Sequence, residues 1–130
     1  TILAEIETAD FSGAADAFLF ADLDCGQEKR SDVFFPNFWK EVPFAQPKLT
    51  ISDIKTVETG VVDVTLTTET FARCVHLDGI NEGCSEGTPV IIEDAYFEMR
   101  AGETRTIRLK SDAAINTDSM KVDHWLTEWN

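Results

Sequence analysis

The chain has 130 residues, 43% of them hydrophobic and 27% charged, with 24 acidic side chains against 11 lysines and arginines and a formal net charge of −13. That length suits one domain able to bury roughly two thirds of its unfolded surface. The charge argues against nucleic acid or an anionic membrane as partner, since both need clustered Lys and Arg, and no apolar run nears the ~20 residues of a membrane-spanning helix.

The acids are scattered rather than blocked, the pattern of a solvated surface, and an acidic balance suits a secreted, extracellular setting. No basic segment followed by an apolar core opens the chain as a signal peptide would. The start at Thr1 leads us to expect a processed product, a fragment or an excised domain.

Thr1 to Glu7 alternates, with Ile2, Ala4 and Ile6 on one face, which predicts a short strand; Asp10 to Asp16 reads as a loop. Ala17 to Asp24 is apolar and aromatic, with Phe18 and Phe20 opposite Leu19 and Leu23. A short helix competes there, but the turn Cys25-Gly-Gln-Glu-Lys-Arg and a second run, Asp32 to Phe35, favour a hairpin. Pro36, Pro43 and Pro47 then remove backbone donors and bias their predecessors to extended geometry, so Asn37 to Gln46 is expected as an irregular crossover.

Beyond Pro47 the alternation is regular. Leu49 and Ile51 share a face; Thr59-Gly60 turns the chain; Val62, Val64 and Leu66 face inward opposite Asp63, Thr65 and Thr67. Phe71 to Leu77 is a further strand, followed by the Gly-rich loop carrying Cys84. Val90 to Met99 is the next, with a break at Glu93-Asp94. Ala101-Gly102 turns into Thr104 to Lys110, where Ile107 and Leu109 point inward. Asp112 to Ser119 is a loop, and Met120 to Trp129 has a period that fits either a strand or a short helix. Short strands separated by frequent turns predict an all-β, antiparallel, immunoglobulin-like β-sandwich. The expected organisation is one domain, 1–130: an N-terminal strand and aromatic hairpin at 1–36 (or the tail of a preceding domain), a crossover at 37–47 and the main sandwich at 48–130.

Candidate chemistry is sparse. Glycoside hydrolysis needs two carboxylates about 5–9 Å apart, and Glu93, Asp94, Glu98 and Glu103 are the acids to consider. Glu93 and Glu98 would emerge on opposite faces of an extended run, and Glu103 sits beside Arg100 and Arg105. Ser12, Ser31 and Ser85 lie in loops without a nucleophile elbow. His124 lies near the C-terminus, and Cys74 and His76, alternate residues on one strand, share a face but have no third group. Neither Asp22-Leu-Asp24 nor Asp10 to Asp16 has the spacing of a calcium loop, and no Cys-x-x-Cys pair suggests zinc. No catalytic residue, metal or cofactor is expected.

Cys25, Cys74 and Cys84 leave one cysteine over if two pair. A Cys74–Cys84 disulfide would close a short loop and contribute about 2–3 kcal/mol; three reduced thiols are the alternative. Phe38 and Trp39 beside Pro36, with Trp125 and Trp129 near the end, are candidates for an interface with a neighbouring domain or for stacking on carbohydrate, unless they fill the core.

Ser31-Asp-Val-Phe-Phe-Pro-Asn-Phe-Trp-Lys-Glu-Val-Pro-Phe-Ala-Gln-Pro-Lys-Leu resembles the strand and Pro-rich crossover that open the C-terminal immunoglobulin-like domain of family-two β-mannosidases. Glu93-Asp-Ala-Tyr-Phe-Glu-Met-Arg-Ala-Gly-Glu-Thr-Arg-Thr-Ile is similar to a later motif of that domain, and Val64-Thr-Leu-Thr-Thr-Glu-Thr-Phe-Ala-Arg-Cys-Val to its paired central strands. Ala95 and Ala101 depart from the Asn and Pro often found there, differences that bear on turns more than on fold. The resemblance implies an accessory domain of a retaining β-mannosidase-like glycoside hydrolase. In that family the catalytic glutamates belong to a separate TIM barrel, which cannot fit in this length. Its implied partners are the catalytic and other domains of the same enzyme. A free-standing module for carbohydrate or protein is the alternative.

Overall fold

A computed structural model describes residues 18–35, 42, 44–81 and 88–125. The expected N-terminal strand, most of the Pro-rich crossover and residues 82–87 and 126–130 lie outside the described residues. The chain divides into two compact units, Thr1–Phe44 and Ala45–Asn130. Every regular element among the described residues is a β-strand.

In the first unit β1 (Leu19–Asp24) pairs antiparallel with β2 (Lys29–Phe34), Leu19 opposite Phe34 and Asp24 opposite Lys29. The hairpin closes through Cys25 N–H donating to Glu28 O at 2.9 Å. Gly26, with φ 84°, donates its amide to Asp24 Oδ1 at 3.0 Å. β2 begins at Lys29, ahead of the apolar run, because ladder pairing rather than side-chain hydrophobicity defines its start. Phe18 is the hub of an aromatic cluster, with ring centroids 5.8 Å from Phe20, 5.5 Å from Phe35 and 5.6 Å from Phe44.

The second unit holds two sheets. The larger has the order β3-β4-β8-β6, built from β3 (Leu49–Glu58), β4 (Val61–Thr68), β6 (Ile91–Ile92) and β8 (Thr104–Lys110). The smaller has the order β7-β5-β9, built from β5 (Ala72–Asp78), β7 (Phe97–Met99) and β9 (Lys121–Asp123). Their facing side chains form one core: Val62, Val64 and Leu66 of β4 and Ile107 and Leu109 of β8 from one sheet, Val75, Leu77, Phe97 and Met99 from the other. Full burial of side chains such as Leu66 or Ile107 stabilises by about 1.5–3 kcal/mol each. The alternation expected of β4 and β8 is therefore the alternation observed.

The outward positions of β4 and β8 form cross-strand polar pairs. Thr65 and Thr106 hydroxyls meet at 3.0 Å and those of Thr67 and Thr104 at 3.3 Å. Arg108 grips Asp63 with two bonds, of 2.7 and 2.9 Å.

Two register shifts in β3, between Ile51 and Asp53 and between Thr56 and Glu58, interrupt its alternation. An extra residue at a bulge reverses which face follows. Ile54 thereby pairs with the buried Val64 and shares its face, yet stays 40% exposed at the edge of the sheet. β5 has its own shift between Ala72 and Val75, where Cys74 adopts φ 50°.

The stretch expected as one broken strand, Val90 to Met99, serves both sheets. Ile92 pairs with Leu109 in the larger and Phe97 with Val75 in the smaller. Likewise the Gly102 turn joins β7 of one sheet to β8 of the other and is no hairpin. Gly102, with φ 78°, fixes this passage by donating to Thr68 O at 3.0 Å.

Candidate functional site

The acids of the Glu93–Glu103 stretch are held by arginines. Glu98 Oε1 lies 3.0 Å from Arg73 Nη1, Glu103 Oε2 lies 3.0 Å from Arg105 Nε, and Asp94 Oδ2 lies 3.4 Å from Arg105 Nη1. Glu93 accepts the Arg108 amide at 3.3 Å. Arg105 also lies over the Phe97 ring, 4.4 Å from its centroid. This is the arrangement of side chains that fasten the passage between sheets.

A different constellation gathers on the outer face of the smaller sheet. In the β5–β9 register His76 stands opposite Asp123, Leu77 opposite Val122 and Asp78 opposite Lys121. Leu77 and Val122 pack on the core, so His76, Asp78 and Asp123 share the opposite face. One donor atom from each of the three lies within 4.8 Å of the others. His76 Nδ1 is 2.9 Å from Cys74 O. A carbonyl only accepts, so Nδ1 carries a proton, and in the neutral ring Nε2, 3.7 Å from Asp78 Oδ2, is the nitrogen with the free lone pair. Asp123 Oδ1 accepts the His124 amide at 2.8 Å.

Aromatic rings border this cluster. The Tyr96 ring stacks on His76 with centroids 4.9 Å apart and planes 25° apart, and meets Trp125 at 6.4 Å and 60°. Tyr96, next to the buried Phe97, is 59% exposed, with φ 60°. It precedes the strand, and the sheet-to-sheet crossing turns it outward. Trp125 is 37% exposed and anchored by its amide to Arg73 O at 3.0 Å. His124 is buried, and that burial pushes its imidazole below the usual value despite the opposing pull of Asp123.

Of the aromatic candidates named for an interface or carbohydrate, Trp125 joins this cluster; Phe38, Trp39 and Trp129 lie outside the described residues. Cys74 carries a free thiol, partly buried, and Cys25 an exposed one; Cys84, the other half of the expected bridge, lies outside the described residues. Burial, and next to it Glu98, pushes the Cys74 thiol up. The partners of His76 are not apparent in the sequence, because Asp123 is brought to it only by strand pairing.

The family model described as an Ig-fold domain, Ig_mannosidase, matches residues 44–125. The chain belongs to the mannosidase Ig-fold domain family. The match spans both sheets of the second unit and the His76–Trp125 cluster within it. Among curated proteins nothing matches the chain. For a mannosidase Ig-fold domain the two-sheet core and antiparallel pairing are those expected of an immunoglobulin-like sandwich.

Proposed function

We propose that this mannosidase Ig-fold domain is a non-catalytic accessory domain of a β-mannosidase-like glycoside hydrolase, packed against the catalytic domain that cleaves terminal β-mannosides. The observation that carries this reading is the family match over residues 44–125. Two features of the surface support it. The acids best placed in sequence to act as a catalytic pair are engaged by Arg73, Arg105 and the Arg108 amide. Apolar side chains also remain at both edges of the larger sheet. Ile91 on β6 is 68% exposed, beside a depression of about 440 Å³ lined by Val61, Pro89 and Lys110, and Val57 and Ile54 are exposed on β3. Exposed apolar edges are where an accessory domain gains by docking.

The test is hydrolysis of an aryl β-mannoside by the chain alone and by a longer polypeptide that joins it to its catalytic domain. Turnover is expected only from the longer polypeptide, and Ile91→Asp is expected to loosen the packing between the two.

A second reading, a carbohydrate-binding surface, is favoured by the exposed Tyr96 and Trp125 rings beside the carboxylates of Asp78 and Asp123. It requires that mannan oligosaccharides quench tryptophan fluorescence and that Trp125→Ala abolish the quenching. A flat titration removes it.

A further inference from the structure

We propose that His76, Asp78 and Asp123 form a zinc-class divalent-metal site on the outer face of the smaller sheet. This is independent of the accessory role proposed above. An imidazole nitrogen with two carboxylate oxygens is a three-ligand set of the type zinc accepts, with a fourth position open to water. Calcium instead takes six to eight oxygens and is poorly served by this set.

The geometry is close to what such an ion needs. Tetrahedral coordination at ~2.0–2.1 Å places neighbouring donors roughly 3.3–3.5 Å apart. His76 Nε2 and Asp78 Oδ2 are already 3.7 Å apart, and all three donors fall within 4.8 Å. The Asp78 side chain is 51% exposed and has room to rotate inward, whereas that of His76 is 12% exposed.

The imidazole is also held ready to ligate. The Cys74 carbonyl, which is not one of the three ligand groups, accepts a hydrogen bond from Nδ1–H at 2.9 Å. That bond favours the tautomer whose Nε2 lone pair points at the carboxylates, as a metal-bound histidine requires. In that tautomer the Nε2 lone pair and the two carboxylates offer a cation three donor atoms from one face of the sheet. Pairing of His76 with Asp123 across β5 and β9 supplies a rigid base. The Tyr96 ring, stacked on His76, walls one side.

Zinc titration of the full chain against a chromophoric indicator tests the site, with Cys25→Ser as the background so that the exposed thiol does not contribute. A single ion per chain is expected, with a thermal midpoint raised by zinc and restored by EDTA. His76→Gln, Asp123→Asn and Asp78→Asn should each weaken binding by at least about 10–100-fold. Glu69→Gln, at an exposed acid paired with Lys48 elsewhere on the surface, should leave it unchanged. Asp78→Asn changes an exposed side chain and tests the site even if the other variants do not fold. On the unmodified chain, paramagnetic Co²⁺ should broaden His76 and Tyr96 resonances before others. No binding, binding unaffected by Asp78→Asn, or Co²⁺ broadening centred elsewhere overturns the site.

Discussion

Ile92 and Phe97 lie on opposite sheets of the sandwich although only four residues separate them: Ile92 pairs with Leu109 and Phe97 with Val75. The Glu93–Tyr96 crossing is short, so its backbone is tightly constrained, and Tyr96 enters the left-handed region with φ 60°. Arg105 secures the crossing by bonding Glu103, Asp94 and the Glu98 carbonyl. The same passage that completes the core sets the Tyr96 ring on His76.

Two glycines with the same φ of 78° should respond differently to alanine. At Gly102 an added Cβ meets nothing within 4 Å, so Gly102→Ala bears only the left-handed backbone cost, about 1–2 kcal/mol. At Gly60 the Cβ collides with the Ser111 carbonyl oxygen. That group cannot withdraw easily, because the Ser111 amide donates to Gly60 O at 2.8 Å. Gly60→Ala is expected to lose more than about 3 kcal/mol in urea denaturation. Equal losses at the two sites would contradict this.

Stability should fall in acid through Asp63. Its hydrogen bonds to Arg108 hold the carboxyl below the usual aspartate range, against the opposing effect of burial. A folded-state pKa below the unfolded one gives stabilisation that is complete above about pH 4 and is lost as pH drops through the lowered folded value. Asp63→Asn should therefore be less stable than the parent at neutral pH, by a gap that closes as pH falls below about 4. Denaturation curves across that range would show it; a gap independent of pH would not fit.

Core and edge should separate cleanly. Met99 is fully buried between the sheets, and Met99→Ala is expected to cost about 2–5 kcal/mol. Ile91 is 68% exposed, and Ile91→Ala should stay within about 0.5 kcal/mol of the parent. Midpoints of chemical denaturation for the two variants check the pair.

The thiols should react in order. Cys25 is exposed, while Cys74 is partly buried with its thiol pushed up by burial and by Glu98. Thiolate is the reactive form, so iodoacetamide should modify Cys25 first and Cys74 fully only on unfolding, without reductant. Labelling of Cys74 that requires prior reduction would instead reveal a bridge.

Much of this fold can be read from alternation because β4 and β8 pair without interruption, Val61 with Lys110 through Thr67 with Thr104. Where a bulge intervenes the pattern fails. Neither Ser52 in β3 nor Cys74 in β5 is a glycine that would mark one, and each resets which face the next residue takes. Tyr96 adjoins the buried Phe97, and only the backbone direction at the crossing turns it outward. The His76 cluster was illegible for a further reason. Asp123 is distant in sequence and becomes a neighbour only through the β5–β9 register, while Trp125 could be noted from its residue type alone.

The accessory role is tested most directly by assaying aryl β-mannoside hydrolysis by the purified 130-residue chain beside the longer polypeptide that includes its catalytic domain. No turnover above the buffer rate by the chain alone, with turnover by the longer polypeptide, is the predicted result. Turnover by the chain alone would contradict it.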